Sequence, residues 1–286
     1  MKRKNLVFII LLAVILGSCA NEPLSGGLYG DYNPEFIKIN LGDIPPEFKN
    51  PVNISHIEET RYLELINGDY RINGEPDKKY IVSAWPAVPV STTEVMLHET
   101  AIRAVEELRN EAREEQAGTF YISSGYRDYE MQRQVYNNVP DKAFVQPPGH
   151  SEHHTGLAAD ILAIGLTLAE MAESSEGQWL NDNSWKYGLI VRYAENKRHI
   201  TGIAYEPWHF RYVGQPHAWF MKQNNLCFEE YIEFLKEISV YQAEFNGVTY
   251  TVSYQEPQNN MIYVPKKINF DISSDNTGGY IITSRE

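Results

Sequence analysis

Three short segments constrain the fold of this chain most strongly, because each crowds chemically active side chains beside a pattern typical of a β-strand. They read SSGYRD at 123–128, HSEHHTGLAAD at 150–160 and YEPWHFRY at 205–212. Imidazole, carboxylate and guanidinium groups act together only when they share one site. Taken one at a time, these residues are also typical of a surface or core histidine pair (His153-His154), a turn or cap aspartate (Asp160) and a buried hydrogen-bonding glutamate (Glu206). Composition and spacing alone therefore leave the function open.

Two of these segments hold the residue types that bind zinc. Zinc accepts imidazole and carboxylate ligands, and its catalytic sites use three protein ligands and leave the fourth position to water. The second segment offers His153 and Asp160, and the third offers His209 with Glu206 three residues earlier. Glu206 and His209 would face opposite ways in a regular strand. Pro207 predicts a distortion that can bring both side chains to one site.

Three motifs follow one another in a fixed order: Ser-Gly-Tyr-Arg at Ser124–Arg127, Ser-x-His-x-x-Gly-x-Ala-x-Asp at Ser151–Asp160, and Glu-x-Trp-His at Glu206–His209. In this order they resemble the VanY-type D-alanyl-D-alanine carboxypeptidases. These belong to a zinc peptidase group that also includes D-Ala-D-Ala dipeptidases and lysostaphin-like enzymes. The similarity covers roughly residues 91–235. Tyr193–His199 departs from the family pattern, which usually carries Pro-x-Gly-Lys-Glu there, so this loop is expected to differ.

The resemblance implies a role for each residue of the metal centre. It implies that one zinc ion per chain is bound by His153, Asp160 and His209, with water in the open position. Glu206 would be the general base that takes a proton from this water and passes it to the leaving amine. The motif also selects His153 over its neighbour His154 as the ligand, because the ligand stands two residues after the motif serine.

Three further residues are candidates for substrate binding. By resemblance, Arg127 would bind the terminal carboxylate of D-Ala or the oxyanion that develops on the scissile carbonyl, which its fork of donors suits. The alternative for Arg127 is a structural salt bridge with Asp128 or Glu130. Ser151 would hydrogen-bond the substrate or orient the ligand loop. Gln132 is a weaker candidate, because a glutamine on an amphipathic helix usually faces solvent.

Helical and extended patterns alternate irregularly, which predicts an α+β fold. We expect helices packed on a central antiparallel sheet that bears the zinc cleft, followed by a small C-terminal β appendage. Ser91 and Glu94 form a capping-box pattern that predicts a helix start, and Asn246-Gly247 predicts a hairpin turn. The predicted helices cover 91–116, 129–137 and part of 166–183, and the predicted strands cover 119–123, 157–163, the end of 185–193, 205–212, 245–254, 261–265 and 280–283.

The N-terminus has the pattern of an export signal. Three basic residues precede the apolar run Leu6–Leu16, which is too short to span a bilayer but fits a signal peptide. The string Leu16–Cys19 resembles a bacterial lipobox, so Cys19 is predicted to be lipidated; the alternative is an ordinary signal peptide. The predicted domains are a signal peptide at 1–18, a tether and irregular segment at 19–60, the zinc carboxypeptidase domain at 61–240 and the β appendage at 241–286.

The net charge of -13 argues against a nucleic-acid partner, which would need a basic face. We expect an exported monomer on the outer face of the cytoplasmic membrane, anchored through Cys19 or else secreted. Its predicted substrate is the peptidoglycan stem pentapeptide, from which it removes the C-terminal D-Ala. An L,D-carboxypeptidase, a peptidoglycan endopeptidase or a non-catalytic wall-binding module remain the alternatives, and the intact Glu206 argues against the last.

Overall fold

The computed structural model of the protein describes residues 36–38, 50–266 and 268–286. The predicted signal peptide, Cys19 and most of the predicted tether lie outside the described residues. Everything described belongs to one compact unit. Within these ranges no helix combines the length and the apolar character needed to cross a membrane.

The structure contains strands and helices in a mixed order, which confirms the predicted α+β class. The strands are β1 (Phe36–Lys38), β2 (Asn50–Asn53), β3 (Ile81–Ser83), β4 (Met96–His98), β5 (Phe120–Ser124), β6 (Ala158–Ala163), β7 (Leu189–Tyr193), β8 (Glu206–Tyr212), β9 (Val240–Phe245), β10 (Val248–Gln255), β11 (Met261–Val264), β12 (Asn269–Ser274) and β13 (Tyr280–Arg285). The α-helices are α1 (Glu99–Glu114), α2 (Tyr129–Asn138), α3 (Leu168–Met171), α4 (Ser175–Asn183), α5 (Arg198–Thr201), α6 (Gln215–Gln223) and α7 (Phe228–Ile238).

A four-stranded antiparallel sheet in the order β5-β6-β8-β7 carries the three chemically active segments. Strands β5, β7 and β8 contain β-branched or aromatic residues, which favour the pleated conformation, whereas β6 is alanine-rich. Ala159 and Ile161 of β6 join a buried core with Val105 and Leu108 of α1. Because side chains alternate along a strand, Asp160 between them faces the other side of the sheet. The sheet therefore buries one face under α1 and presents Asp160 on the other.

Helix α1 begins at Glu99, which corrects the predicted start at Ser91. Residues 96–98 instead form β4 and pair with β3, and the Nδ1 of His98 caps the helix by accepting from the Thr100 amide at 3.2 Å. The hydroxyl of Ser91 donates to the Ser123 carbonyl at 2.9 Å instead of closing a capping box. Residues 96–98 therefore adopt the conformation that their pairing with β3 requires, and not the helix that the local pattern at Ser91 predicts.

The C-terminal strands form a second antiparallel sheet in the order β1-β9-β10-β13-β12. Asn246 and Gly247 turn the chain between β9 and β10 with positive φ values of 53° and 74°, as the hairpin signal predicts. Helices α6 and α7 are absent from the predicted elements. In the structure, α6 packs against β9 and α7 packs against β10. These two helices thus lie between the C-terminal sheet and the four-stranded sheet. The domain boundary at 240/241 stays a prediction.

Candidate active site

The structure brings the three predicted metal ligands together. One nitrogen or oxygen from each of His153, Asp160 and His209 lies within 4.8 Å of the others. Asp160 on β6 is directly opposite His209 on β8, and the Oδ1 of Asp160 lies 3.1 Å from the Nδ1 of His209 and 3.5 Å from the Nε2 of His153. Sheet pairing therefore fixes two of the donors, and a loop supplies the third.

A short 3-10 helix, Glu152–Thr155, delivers His153 to this cluster. Ser151 caps the helix by accepting from the His153 amide at 3.4 Å, and Gly156 ends it with a φ of 72°. The Nδ1 of His153 lies 2.7 Å from the Gly125 carbonyl oxygen. A carbonyl only accepts, so Nδ1 carries the proton and the lone pair of Nε2 faces Asp160. This is the usual support for a metal-binding histidine.

His154 does not join the cluster, because backbone groups engage both of its ring nitrogens. Its Nδ1 donates to the Arg127 carbonyl at 2.7 Å, and its Nε2 accepts from the Gly149 amide at 2.9 Å. The ring stacks on Tyr129 with centroids 4.7 Å apart. His154 therefore ties the loop of Arg127 to the ligand loop and offers no nitrogen to a metal.

The distortion expected near Pro207 is present in β8. The register between β7 and β8 shifts between Val191 and Tyr193, so that Tyr193 pairs with Glu206. As a result the Oε2 of Glu206 lies 3.7 Å from the Nδ1 of His209, three residues along the same strand. Both side chains line one cleft of about 560 Å³.

The two carboxyl groups of this cleft have opposite pKa shifts. Burial raises the pKa of Glu206 to about 8, and the negative charge of Asp160 adds to the rise. Burial also acts on Asp160, but His153 and His209 outweigh it and hold the pKa of Asp160 well below its usual value. Such a divergence separates an ionised ligand from a proton-accepting group. Burial and the nearby Arg127 lower the pKa of His153 to about 4, which leaves its imidazole neutral.

The side chain of Arg127 points into the cleft, and the salt bridge to Asp128 or Glu130 does not form. Its Nε donates to the Gln132 Oε1 at 2.8 Å, its Nη1 donates to the Ser124 hydroxyl at 2.8 Å, and Nη1 lies 3.9 Å from Asp160. Asp128 instead caps α2 at the Met131 amide, and Glu130 pairs with Arg133. Two neutral hydrogen-bond acceptors, Gln132 and Ser124, thus hold Arg127 beside the cluster of three predicted metal ligands.

Gln132 is fully buried, which corrects the expectation that it faces solvent. Its amide nitrogen donates to the Gln146 carbonyl at 2.7 Å while its oxygen accepts from Arg127. The buried Ser151 lines the cleft beside His153. Gln132 therefore holds Arg127 through a hydrogen bond, whereas the substrate-binding role predicted for Ser151 stays a prediction.

Sequence reasoning missed a buried ionic cluster next to the metal residues. Glu152, Arg192 and Arg211 are each fully buried. The Oε1 of Glu152 accepts from Arg192 at 2.7 Å and from Arg211 at 3.0 Å, and Arg192 also pairs with Glu229. The available signal was an arginine inside the apolar strand LIVRY. A charged residue at such a position is almost never buried without a partner.

Comparison with known proteins agrees with the geometry. The model of the family described as VanY, D-alanyl-D-alanine carboxypeptidase, matches residues 94–215. A D-alanyl-D-alanine carboxypeptidase of Enterococcus faecium is 36% identical over 260 residues, which cover 88% of this chain and 84% of that protein.

Two solved structures share the fold. The vancomycin resistance D,D-dipeptidase VanXYg, in complex with a D-Ala-D-Ala phosphinate analogue, superposes with a TM-score of 0.71 at 25% identity and covers 83% of this chain and 98% of its own. The LdcB LD-carboxypeptidase superposes with a TM-score of 0.54 at 34% identity and covers 65% of this chain and 94% of its own.

The fold and the comparisons define a metallo-carboxypeptidase, and its cleft contains two imidazoles and a carboxylate that could hold a metal ion. The chain belongs to the VanY family of D-alanyl-D-alanine carboxypeptidases. The predicted family, enzyme class and zinc cofactor are therefore confirmed.

Proposed function

We propose that the protein removes the C-terminal D-Ala from peptidoglycan stem pentapeptides, with zinc held by His153, Asp160 and His209 and with Glu206 as general base. D-alanyl-D-alanine carboxypeptidase activity is that of its family. The observation that carries the proposal is the cluster of three donors with the carboxylate of Glu206 3.7 Å from His209.

The donor set fits zinc. Two imidazoles and one carboxylate are a usual ligand set for catalytic zinc, which keeps its fourth position open. His153 already directs the lone pair of one nitrogen toward Asp160, and the pKa of Asp160 is held low, so both donors are in their binding forms. When bound, zinc lowers the pKa of a water molecule to roughly 7 and polarises the scissile carbonyl.

Glu206 acts first as the general base and then as the general acid of the reaction. Its carboxylate accepts a proton from the attacking water and then donates it to the amine of the departing D-Ala. The raised pKa of about 8 suits both steps, because a base whose pKa lies near the working pH takes up and releases a proton with little cost. The bound cation would lower this pKa toward neutrality.

Arg127 binds the substrate's terminal carboxylate. Among the residues that line the cleft, all within the described part of the chain, it is the sole arginine or lysine. Gln132 and Ser124 fix its Nε and Nη1. One fixed cation suits a peptide that ends in one carboxylate.

Apolar side chains form the remaining wall of the cleft. They come from α2, α3 and β8 and from the loop after α2: Val135, Val139, Phe144, Leu168, Ala172 and Trp208. Phe144 and Leu168 are exposed at the cleft edge. Such a wall fits the methyl groups of D-Ala residues and displaces water from the reacting bond.

The predicted location follows from the substrate, because action on stem peptides takes place outside the cytoplasm. The finer statements belong to this proposal: lipidation of Cys19, or else secretion, and a monomeric enzyme. The acidic net charge of -13 supports the exclusion of a nucleic-acid partner.

The test is a single set of incubations with zinc-loaded enzyme. The substrates are a muramyl pentapeptide, the corresponding tetrapeptide and free D-Ala-D-Ala, and released amino acids are identified by mass spectrometry. We expect D-Ala from the pentapeptide, and release slower by roughly 10²- to 10⁴-fold with Glu206→Gln as the matched control. Release from the tetrapeptide alone would indicate an L,D-carboxypeptidase, and no release from any substrate would indicate a wall-binding module; either result contradicts the proposal.

A further inference from the structure

Two buried polar atoms beside the proposed metal centre face each other without a hydrogen bond. They are the Oε2 of Glu152 and the Nε2 of His209, which stand 3.6 Å apart. Within the described chain, these two and one arginine nitrogen elsewhere are the buried side-chain nitrogens and oxygens without a hydrogen bond. Unsatisfied buried groups are costly, so a pair aimed at each other calls for a physical reason.

The arginines around Glu152 fix which of its oxygens faces the histidine. Arg192 and Arg211 both donate to Oε1, at 2.7 Å and 3.0 Å. Arg192 is held in turn by a two-point pair with Glu229, and Arg211 by the carbonyls of Tyr62 and Glu64. Because these partners occupy Oε1, Glu152 is left with one acceptor, Oε2, directed at His209.

The same arrangement selects the nitrogen that His209 offers to a metal. Carboxylate oxygens only accept hydrogen bonds, so in the metal-free protein Nδ1 of His209 donates to Asp160 at 3.1 Å, and Nε2 directs its own proton at Glu152. Asp160 is itself a proposed zinc ligand, so a zinc ion bound there would take the place of the Nδ1 proton, whereas Glu152 would keep the proton on Nε2. In the zinc-bound ring the lone pair then lies on Nδ1, the nitrogen that faces Asp160. The gap of 3.6 Å exceeds a hydrogen bond, and closing it needs a movement of roughly 0.7 Å.

We propose that Glu152 is a positioning residue for the metal centre, which holds His209 as its Nε2–H tautomer so that Nδ1 binds zinc. The inference rests on the proposed function, since it takes His209 as a ligand. His153 is held the opposite way, with its proton on Nδ1 and its lone pair on Nε2. The two zinc imidazoles are therefore opposite tautomers, one fixed by a backbone carbonyl and the other by a buried carboxylate.

The 3-10 helix Glu152–Thr155 both supplies a proposed zinc ligand and positions a second one, because the two residues involved are neighbours in the chain. Glu152 and His153 are adjacent in the 3-10 helix, so one side chain turns into the buried ionic cluster while the next enters the cleft. The ligand loop thus supplies one ligand itself and supports the other from behind. Carboxylates behind zinc-binding histidines typically change metal affinity in this way.

The test compares Glu152→Gln with Glu229→Gln. In Glu152→Gln the arginines retain the amide oxygen, so the NH₂ group turns toward Nε2 and favours the wrong tautomer of His209. We expect zinc affinity, measured by competition with a chelator, to fall roughly 10- to 100-fold. Glu229→Gln removes the same charge from the same arginine but has no contact with His209, and its zinc affinity should stay close to wild type.

Equal zinc affinities in the two variants would overturn the inference while leaving the zinc site intact. Full zinc binding by His209→Ala would instead overturn the proposed ligand set. Wild-type protein gives a second measurement that needs no variant to fold. Nitrogen NMR of the zinc-loaded enzyme should find His209 protonated at Nε2 and His153 protonated at Nδ1, and His209 bound through Nε2 would contradict the inference.

Discussion

Single residues of the cleft separate into those that bind, those that move a proton and those that hold others in place. Glu206 is buried and Asp160 partly buried, both near His209, yet their pKa values shift in opposite directions. Asp160 faces both imidazoles, whereas burial dominates at Glu206. This difference supports the proposed roles of Asp160 as a metal ligand and of Glu206 as the proton-transfer group.

Glu206→Gln should leave zinc binding unchanged and lower kcat by roughly 10²- to 10⁴-fold, the usual contribution of a general base. The amide keeps the size of the side chain but does not accept the proton. Zinc content by metal analysis and D-Ala release from pentapeptide measure the two effects. A variant that retains most of its activity would rule out Glu206 as the base.

Arg127→Ala should lower kcat/KM for pentapeptide by about 10- to 150-fold, because a hydrogen bond to a charged group contributes about 1.5–3 kcal/mol. A pentapeptide with an amidated C-terminus supplies the control, since it lacks the carboxylate that Arg127 is proposed to bind. The wild-type enzyme should prefer the free carboxylate, and Arg127→Ala should lose that preference. A preference that survives the substitution would argue that Arg127 has a structural role only.

At the scale of elements, the strands of the site and helix α2, predicted at 129–137 and found at Tyr129–Asn138, were predictable, whereas the start of α1 was not. Residues 119–123 and 205–212 have β-branched or aromatic patterns, and residues 157–163 form a short apolar run interrupted by Asp160; all three agree with their tertiary surroundings, so local and global preferences coincide. The start of α1 depends on the pairing of Met96–His98 with Ile81–Ser83, which no local pattern contains. Helix α6 is buried from Pro216 to Met221 and lacks a polar face to mark it.

The site itself was predictable only where a motif records it. The three donors, Glu206 and Arg127 stand in short patterns with fixed spacing. The partners of Glu152 do not: Arg192 and Arg211 are 40 and 59 residues away along the chain. Arg192 is a lone charge in the apolar strand β7, and Arg211 lies in β8 outside the quoted motif. Their meeting depends on the order of strands in the sheet, which spacing does not determine.

Gly156→Ala should destabilise the protein more than Gly202→Ala. Both glycines have a left-handed conformation, with φ of 72° and 75°, which costs other residues about 1–2 kcal/mol. A Cβ at Gly156 would also lie 2.4 Å from the Cδ1 of Ile81. A Cβ at Gly202 would have no neighbouring atom within 4 Å. Overpacking adds about 1–3 kcal/mol.

Urea denaturation measures the free energy of unfolding of Gly156→Ala and of Gly202→Ala. Because Gly156 ends the helix that carries His153, Gly156→Ala should also weaken zinc binding, and Gly202→Ala should not. Equal losses of stability in the two variants would show that the contact with Ile81 has no cost.

At the scale of the whole molecule, the buried ionic cluster joins distant parts of the chain. Arg211 on β8 bonds the carbonyls of Tyr62 and Glu64, and Arg192 on β7 pairs with Glu229 on α7. The pKa of Glu152 is shifted by burial, which raises it, but Arg192 and Arg211 outweigh burial and hold it far below the usual value. The same balance with Arg192 lowers the pKa of Glu229.

Stability of the metal-free protein should therefore fall with pH on the acid side. A carboxyl group whose pKa is lower in the folded state contributes fully above its ordinary pKa of 4.5, and the contribution is lost as the pH falls toward the folded value. Melting temperatures between pH 7 and pH 3 measure this. Glu229→Gln should be less stable at pH 7 and lose less below pH 4.5, and a slope as steep as that of wild type would contradict the role of this pair.

Anomalous X-ray diffraction at the zinc edge tests the central claim most directly. We predict one strong peak per chain, about 2.0–2.2 Å from the Nε2 of His153, an oxygen of Asp160 and the Nδ1 of His209, with Glu206 close by but not bonded to the metal. A peak at another site, or one bonded to Glu206 in place of any of these three residues, would contradict the assignment of ligands and of the general base.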